Sequence, residues 1–317
     1  MTSTLDAKAG GESSGGPKPL YEGSRGSANR IAVYIFILVP FAALIAAVPL
    51  LWGWGLGWVD VALAVFFFYF TGLGITVGYH RLFTHGSFKA KRPLKIVLAV
   101  MGCMAIQGPP IIWVADHRRH HAFSDREGDP HSPWLHGTTP LGIAKGFWHA
   151  HMGWIFEHEV TNKQRFAPDL LADRDIVRVH KLFWLCTTAT LLLPAALGAL
   201  LTWSWWGGVT AFFWAGLVRV AVLHHVTWST NSICHLIGER PFTSRDKAAN
   251  FWPLAILSFG ESWHNLHHAD PTCARHGVKR GQIDTSARLI WVFEKLGWAT
   301  DVRWPTPQRL AKLTATR

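Results

Sequence analysis

The sequence predicts an all-α membrane protein. Four transmembrane helices in two hairpins are joined by interfacial helices and by a cytosolic helical cap that carries clustered histidines. Three observations predict this. Of 317 residues, 49% are hydrophobic and only 16% charged, against about a quarter charged in an ordinary soluble domain. Four stretches reach the ~20 apolar residues that cross a bilayer. Nine of the 18 histidines cluster at one end of those stretches. A disulfide scaffold or zinc ribbon is excluded, because Cys103, Cys186, Cys234 and Cys273 show no CxxC and no regular spacing.

Residues 1–30 (with GGESSGGPKPLYEGSRGS) lack apolar periodicity and read as a flexible N-terminal tail. The spans fall at about 31–51, 58–79, 182–202 and 208–228, and the first is an uncleaved anchor rather than a signal peptide. The connections LWGWGLG and WSWWG contain no Lys or Arg, whereas the tail, the central segment and the C-terminal segment are rich in both. The positive-inside rule then places both termini and the histidine clusters in the cytoplasm, in a multi-pass protein of the cytoplasmic membrane. Trp52, Trp54, Trp58, Trp203, Trp205 and Trp206 mark the outer ends as an aromatic belt. The cap comprises 80–181 and 229–300. Within it, Ile96–Val114 is broken by Gly108-Pro109-Pro110, and as a fifth span it would separate the histidines, so it reads as an interfacial helix. Ser286–Gly297 is amphipathic and packs on the cap. Gly74 and Gly78 read as a close helix contact. Residues 301–317 form a C-terminal tail after a domain of 31–300.

The clusters are HRLFTH (His80, His85), HRRHH (His117, His120, His121), HNLHH (His264, His267, His268) and the looser NSICH (Asn231, His235). On a helix His117 and His121 stand one above the other with His120 offset, and His264, His267 and His268 repeat that spacing. These nine histidines exceed the roughly six ligands a transition ion takes, so two ions are implied. Imidazole without thiolate suits Zn, Cu, Fe or Ni. A closed structural zinc site needs four ligands, and donors shared over two ions leave positions open, which favours redox iron. The other nine histidines have a structural reading, some of them orienting ligands, with Asp116, Asp129 and Glu261 as candidate carboxylate partners.

The stretches GITVGYHRLFTHGSFKA, WVADHRRHHAFSDREGDPHSP, TWSTNSICH and GESWHNLHHADP resemble the membrane-bound acyl desaturases of the stearoyl-CoA (Δ9) type, in their bacterial branch. The resemblance implies a histidine-box di-iron centre. His80, His85, His117, His121 and His267 would hold one iron. His120, His235, His264 and His268 would hold the other, with Asn231 acting through a water. It further implies O₂-dependent desaturation of a saturated fatty acyl chain, introducing a cis double bond, Δ9 by default. Two electrons would come from a ferredoxin-like or cytochrome b5-like donor with its reductase. Membrane lipid is a partner and nucleic acid is not. Thr227 and Trp228 match positions at the bend of the family's substrate tunnel, and Asp116 a headgroup position. The chain departs from the animal acyl-CoA enzymes at Gly108, at Ala115 and after Gly153-Trp154, where Glu157, His158 and Glu159 replace a basic pair. The carrier, CoA or lipid, therefore stays open.

Two other readings compete. A di-iron acyl or alkane hydroxylase shares the ligand chemistry. A histidine-rich metal transporter would need polar groups along a transmembrane path, and Arg219 is the one charge placed near the middle of the fourth span, where it costs at least ~2.5 kcal/mol. An internally paired, structural arginine is the expectation there.

Overall fold

The computed structural model describes residues 18–51 and 55–314. Four helices are long and apolar enough to cross a membrane: Ser27–Pro49, Trp58–Thr84, Phe183–Thr202 and Trp205–His235. The second and fourth are the more buried and form the centre, with the first and third outside them. Both hairpin tips lie at one end of the bundle. There Thr210 donates to the Asp60 carboxylate at 3.0 Å, and the Trp214 indole donates to the Gly55 carbonyl at 3.0 Å. Trp58, Trp203, Trp205 and Trp206 are all exposed at this end, while Trp52 and Trp54 fall outside the described residues.

The second and fourth spans run past their expected limits of 79 and 228, to Thr84 and His235. Counting apolar residues stops at the first polar ones. Here His80, Arg81 and His235 are buried in protein, so the helices continue without meeting lipid. The second span finishes as a π-helix over Gly74–Thr84, a widened turn of the kind found at functional sites.

Helices Arg92–Cys103 and Pro110–Phe123 replace the single expected run Ile96–Val114. Pro109 and Pro110 cap the start of the second of these, where a missing N–H costs nothing. The Gly74/Gly78 pair serves the first. A Cβ on Gly74 would overlap the backbone of Met101 and Gly102, and one on Gly78 would come within 2.9 Å of the Leu98 carbonyl. The close approach is therefore to an interfacial helix, not to another span.

Two tail expectations need correction. Within 1–30, residues 1–17 lie outside the described residues, but Tyr21–Ser24 forms a strand antiparallel to Glu159–Thr161, and the first span already begins at Ser27. A Gly/Ser-rich composition gave no hint of pairing with a partner over a hundred residues away. At the other end, Pro307–Ala311 is helical and Thr314 bridges Phe242. Helix Thr285–Lys295 packs on the end of the second span through a Ser286–Thr76 hydroxyl contact of 2.7 Å.

Gly74→Ala is expected to destabilise the protein by about 1–3 kcal/mol or more, because backbone cannot step aside as a side chain can. Gly26→Ala, with nothing within 4 Å of its Cβ, should change stability by less than about 0.5 kcal/mol. Thermal midpoints in detergent, followed by size-exclusion recovery, check the pair.

Candidate metal centre

Each histidine is placed by the end of a helix. His80 sits on the last turns of the second span and His85 directly follows it. His117, His120 and His121 occupy the final turns of Pro110–Phe123. His235 closes the fourth span in a 3₁₀ turn, and His264, His267 and His268 lie on the short helix His264–Ala269.

The fold brings these nine side chains into two groups. One is His80, His85, His117, His121 and His267; the other is His120, His235, His264 and His268. Within each group the nitrogens facing inward all lie within 4.8 Å of one another. In the first, the Nε2 atoms of His80 and His267 face at 3.0 Å, those of His117 and His121 at 3.2 Å, and those of His121 and His267 at 2.9 Å. In the second, His264 Nε2 faces His235 Nε2 at 3.1 Å and His268 Nε2 at 3.0 Å. The groups adjoin: the His121 and His268 rings stack at 4.5 Å with 25° between planes. Asn231 and His264 border the same cavity beside the second group.

The outward nitrogens explain the inward ones. His80 Nδ1 meets Glu261 at 2.7 Å, His120 Nδ1 Asp129 at 2.9 Å, His235 Nδ1 Asp125 at 3.0 Å and His268 Nδ1 Asp246 at 2.7 Å. A carboxylate accepts, so each Nδ1 carries the proton and each Nε2 presents a bare lone pair inward. Burial and neighbouring imidazoles push His85, His117, His121, His264, His267 and His268 well below the usual histidine range, so they stay neutral at pH 7. His120 is the exception: burial lowers it, but Asp129 and further carboxylates outweigh this and raise it. Burial pushes Asp129 and Glu261 up, yet His120 for the former and Arg81 for the latter hold both below the ordinary carboxylate range. Meanwhile His85 Nε2, His120 Nε2, His264 Nδ1 and His267 Nδ1 are buried without hydrogen-bond partners. Converging lone pairs and orphaned buried nitrogens are costly unless a cation lies between them. An all-imidazole donor set with carboxylate-fixed tautomers fits a pair of transition-metal ions.

A cavity of about 550 Å³ reaches both groups. His80, His117 and His264 border it, as do the expected substrate residues Asp116, Thr227 and Trp228. Gln107 donates to the Thr227 hydroxyl at 2.9 Å. Gly72 and the Phe259 ring also line the cavity, and a Cβ on Gly72 would strike that ring. The outer end lies between Asn29 and Phe36 of the first span and Lys181 and Trp184 at the start of the third.

Of the three candidate carboxylate partners, Asp129 and Glu261 hold histidines, while Asp116 faces the cavity and has no histidine partner among the described residues. Burial raises its pKa, against Thr161 and the cations Arg25, Arg119 and Lys163. Asp125 and Asp246 escaped sequence reasoning, since they lie 110 and 22 residues from the histidines they hold. So did fully buried Arg81, which pairs with Glu261 at 3.1 Å and Asp284 at 2.9 Å, and two histidines read as structural. The His131 ring lies 4.3 Å from that of His120, tilted by 30°, and the His276 ring lies 4.6 Å from that of His267, with its Nδ1 3.3 Å from Glu261. Arg219 is satisfied internally, donating to the Ala215 carbonyl at 2.9 Å and to Thr190 at 3.0 and 3.1 Å.

Comparison with known proteins agrees with this chemistry. The fatty acid desaturase family model matches residues 56–280. The chain is similar to a hex-5-enoyl-[acyl-carrier protein] acetylenase of Moorena producens, 40% identical over 87% of both chains. It is similar to an sn-1 stearoyl-lipid 9-desaturase of Anabaena variabilis, 35% identical over 87% of this chain and 94% of that one. It is also similar to a Delta-9 acyl-lipid desaturase 2 of Arabidopsis thaliana, 39% identical over 81% and 79%.

Asp246→Asn, which removes the acceptor for His268 Nδ1–H, should weaken affinity for a divalent transition metal about tenfold to a hundredfold. Metal titration of the purified apoprotein measures this, and an unchanged affinity would mean that Asp246 does not orient a ligand.

Proposed function

The chain belongs to the fatty acid desaturase family and is an oxidoreductase acting on fatty acyl chains; we propose that it introduces a cis double bond, Δ9 by default, into a saturated chain esterified to a membrane lipid. The observation that carries the reading is the pair of imidazole groups at the wall of a cavity of about 550 Å³. His80, His85, His117, His121 and His267 would hold one iron, and His120, His235, His264 and His268 the other, with Asn231 acting through a water. Two irons, when bound, supply the reduction of O₂ that removes two hydrogens. The balance is R–CH₂–CH₂–R′ + O₂ + 2 e⁻ + 2 H⁺ → R–CH=CH–R′ + 2 H₂O, the electrons coming from a ferredoxin-like or cytochrome b5-like donor.

The chain's own residues do the positioning. Thr227, held by Gln107, and Trp228 narrow the cavity beside the metal groups and would set where the chain bends. Ile75, Leu223 and Phe259 line the inner part and keep it free of water, which protects a strong oxidant from side reactions. Gly72 and Phe259, packed against each other in its wall, would limit chain length. The lipid carrier is supported by the outer end, framed by the starts of two lipid-facing spans, with the Phe36 and Trp184 rings 5.6 Å apart. The relatives named as acting on acyl lipids favour it too. A second reading, an acyl-carrier thioester arriving from water, is favoured by Arg25, Lys163 and Lys181 at the same mouth and by the acyl-carrier protein in the name of the acetylenase. We place the site and both termini in the cytoplasm, at the cytoplasmic membrane, on the distribution of Lys and Arg.

Expression in a host with a competent electron donor should produce a new cis-monounsaturated acid. His264→Ala and His120→Ala should each abolish it and lower iron content, while His136→Ala should retain most activity. Gas chromatography of separately extracted lipid and thioester pools reads the outcome. First appearance in the lipid pool supports the lipid carrier, appearance in the thioester pool replaces it, and a hydroxy acid would overturn desaturation in favour of hydroxylation.

A further inference from the structure

One residue of the cavity wall is held in a backbone conformation that its side chain resists. Ile106 lies in the turn between helices Arg92–Cys103 and Pro110–Phe123, at a φ of +56°. That is the left-handed region, which glycine enters freely and a β-branched residue avoids. Gly108, two residues on, has a φ of +106° with open space where a Cβ would stand. Conformation alone calls for glycine at both positions, yet the chain carries isoleucine at 106. Such strain survives only where the surroundings impose it, and it collects at working sites.

Here the surroundings are two hydrogen bonds to one span. His224 Nε2–H donates to the Ala105 carbonyl at 3.0 Å. Gln107 donates to the Thr227 hydroxyl at 2.9 Å, and that hydroxyl donates to the Leu223 carbonyl at 3.0 Å. The residues directly before and after Ile106 are thus fastened to positions 224 and 227 of the fourth span, three apart on one helical face. The Ile106 N–H is also taken, by the Cys103 carbonyl at 3.2 Å. Met104 and Ala105 pack in the apolar core, whereas Ile106, 6% exposed, lines the cavity with Leu223, His224, Thr227 and Trp228. The His224 ring lies 5.1 Å from the Trp228 indole, so one imidazole braces both walls. His224 is buried and belongs to neither imidazole group.

We propose that Ile106 is the residue that fixes which carbons of the acyl chain stop beside the metal groups, and that His224 is the positioning residue that holds it there. This rests on the proposed desaturation. A methylene chain is uniform, so in a smooth tunnel placements one carbon apart differ little in energy. A branched side chain on a turn pinned at both neighbours cannot swing aside, and β-branching restricts its own rotation as well. It therefore makes an obstacle of fixed position. A chain that slides by one carbon sets a methylene against that obstacle and loses about tenfold or more in reactivity.

The test expresses the full chain with a competent electron donor and reads double-bond positions by mass spectrometry of dimethyl disulfide adducts. Wild type should give one dominant positional isomer. Ile106→Gly and Ile106→Ala should each raise the minor isomers about tenfold relative to the main one. Of the two, the glycine variant should melt at or above the alanine variant, since only glycine takes this φ without strain. His224→Leu should spread the positions in the same way at unchanged iron content. His224→Gln, whose amide can donate to the Ala105 carbonyl, should restore the wild-type pattern. Met104→Ala, in the same turn but in the core, should lower thermal stability and leave the pattern alone. The proposal is overturned if the Ile106 variants keep the wild-type isomer ratio, if they lose product equally at every position, if His224→Leu keeps the ratio, or if Met104→Ala spreads the positions as much. Wild-type protein that binds iron and accepts electrons yet forms no unsaturated product would instead overturn the proposed function.

Discussion

Nine imidazoles pointed at one another are a repulsive arrangement, and the rest of the structure is organised to hold it. Four carboxylates, Asp125, Asp129, Asp246 and Glu261, fix the proton on the outer nitrogen of one histidine each. Those carboxylates are buried too, so each needs its own support. Arg81 supports Glu261, while backbone N–H groups of Asp125 and His131 support Asp129 and that of Lys247 supports Asp125. The polar network is therefore built outward in layers, and each carboxylate in it is paired because an unpaired charge in so dry a place would be expensive.

The spans provide what such a network requires, a rigid base. Two of them end not at the edge of their apolar stretch but deep in the cap, which carries His80 and His235 on helical backbone rather than on loops. The opposite ends are tied through Asp60 and Thr210. Positions of His80 and His235 are thus set by helix packing over the whole bundle, and the shorter helices Pro110–Phe123 and His264–Ala269 add most of the remaining side chains.

Much of this was legible in the sequence. The spans, their pairing into hairpins and the two-group logic of HRRHH and HNLHH follow from apolar length and from the i, i+3, i+4 geometry of a helix, both local properties. What stayed hidden is non-local. Asp125 and Asp246 look like ordinary loop acids until folding sets them against histidines, and Tyr21–Ser24 looks like more of a polar tail until Glu159–Thr161 lies beside it. The span limits were too short for a related reason: a hydropathy count treats His80 and Arg81 as solvent-seeking, and burial inside the protein is invisible to it. His131 and His276 were passed over because a lone histidine carries no spacing to read.

Arg219 illustrates how one side chain orders the making of the molecule. Its guanidinium finds acceptors on its own span at Ala215 and on the third at Thr190, and lies 3.4 Å from Thr71 of the second. No single helix can offer that set. A fourth span leaving the translocation machinery alone would carry an unsatisfied charge into hydrocarbon, so it gains a settled place only once the second and third are already there to receive it. Biogenesis of the bundle is thereby given a sequence, with the fourth span, and His235 at its end, arriving last.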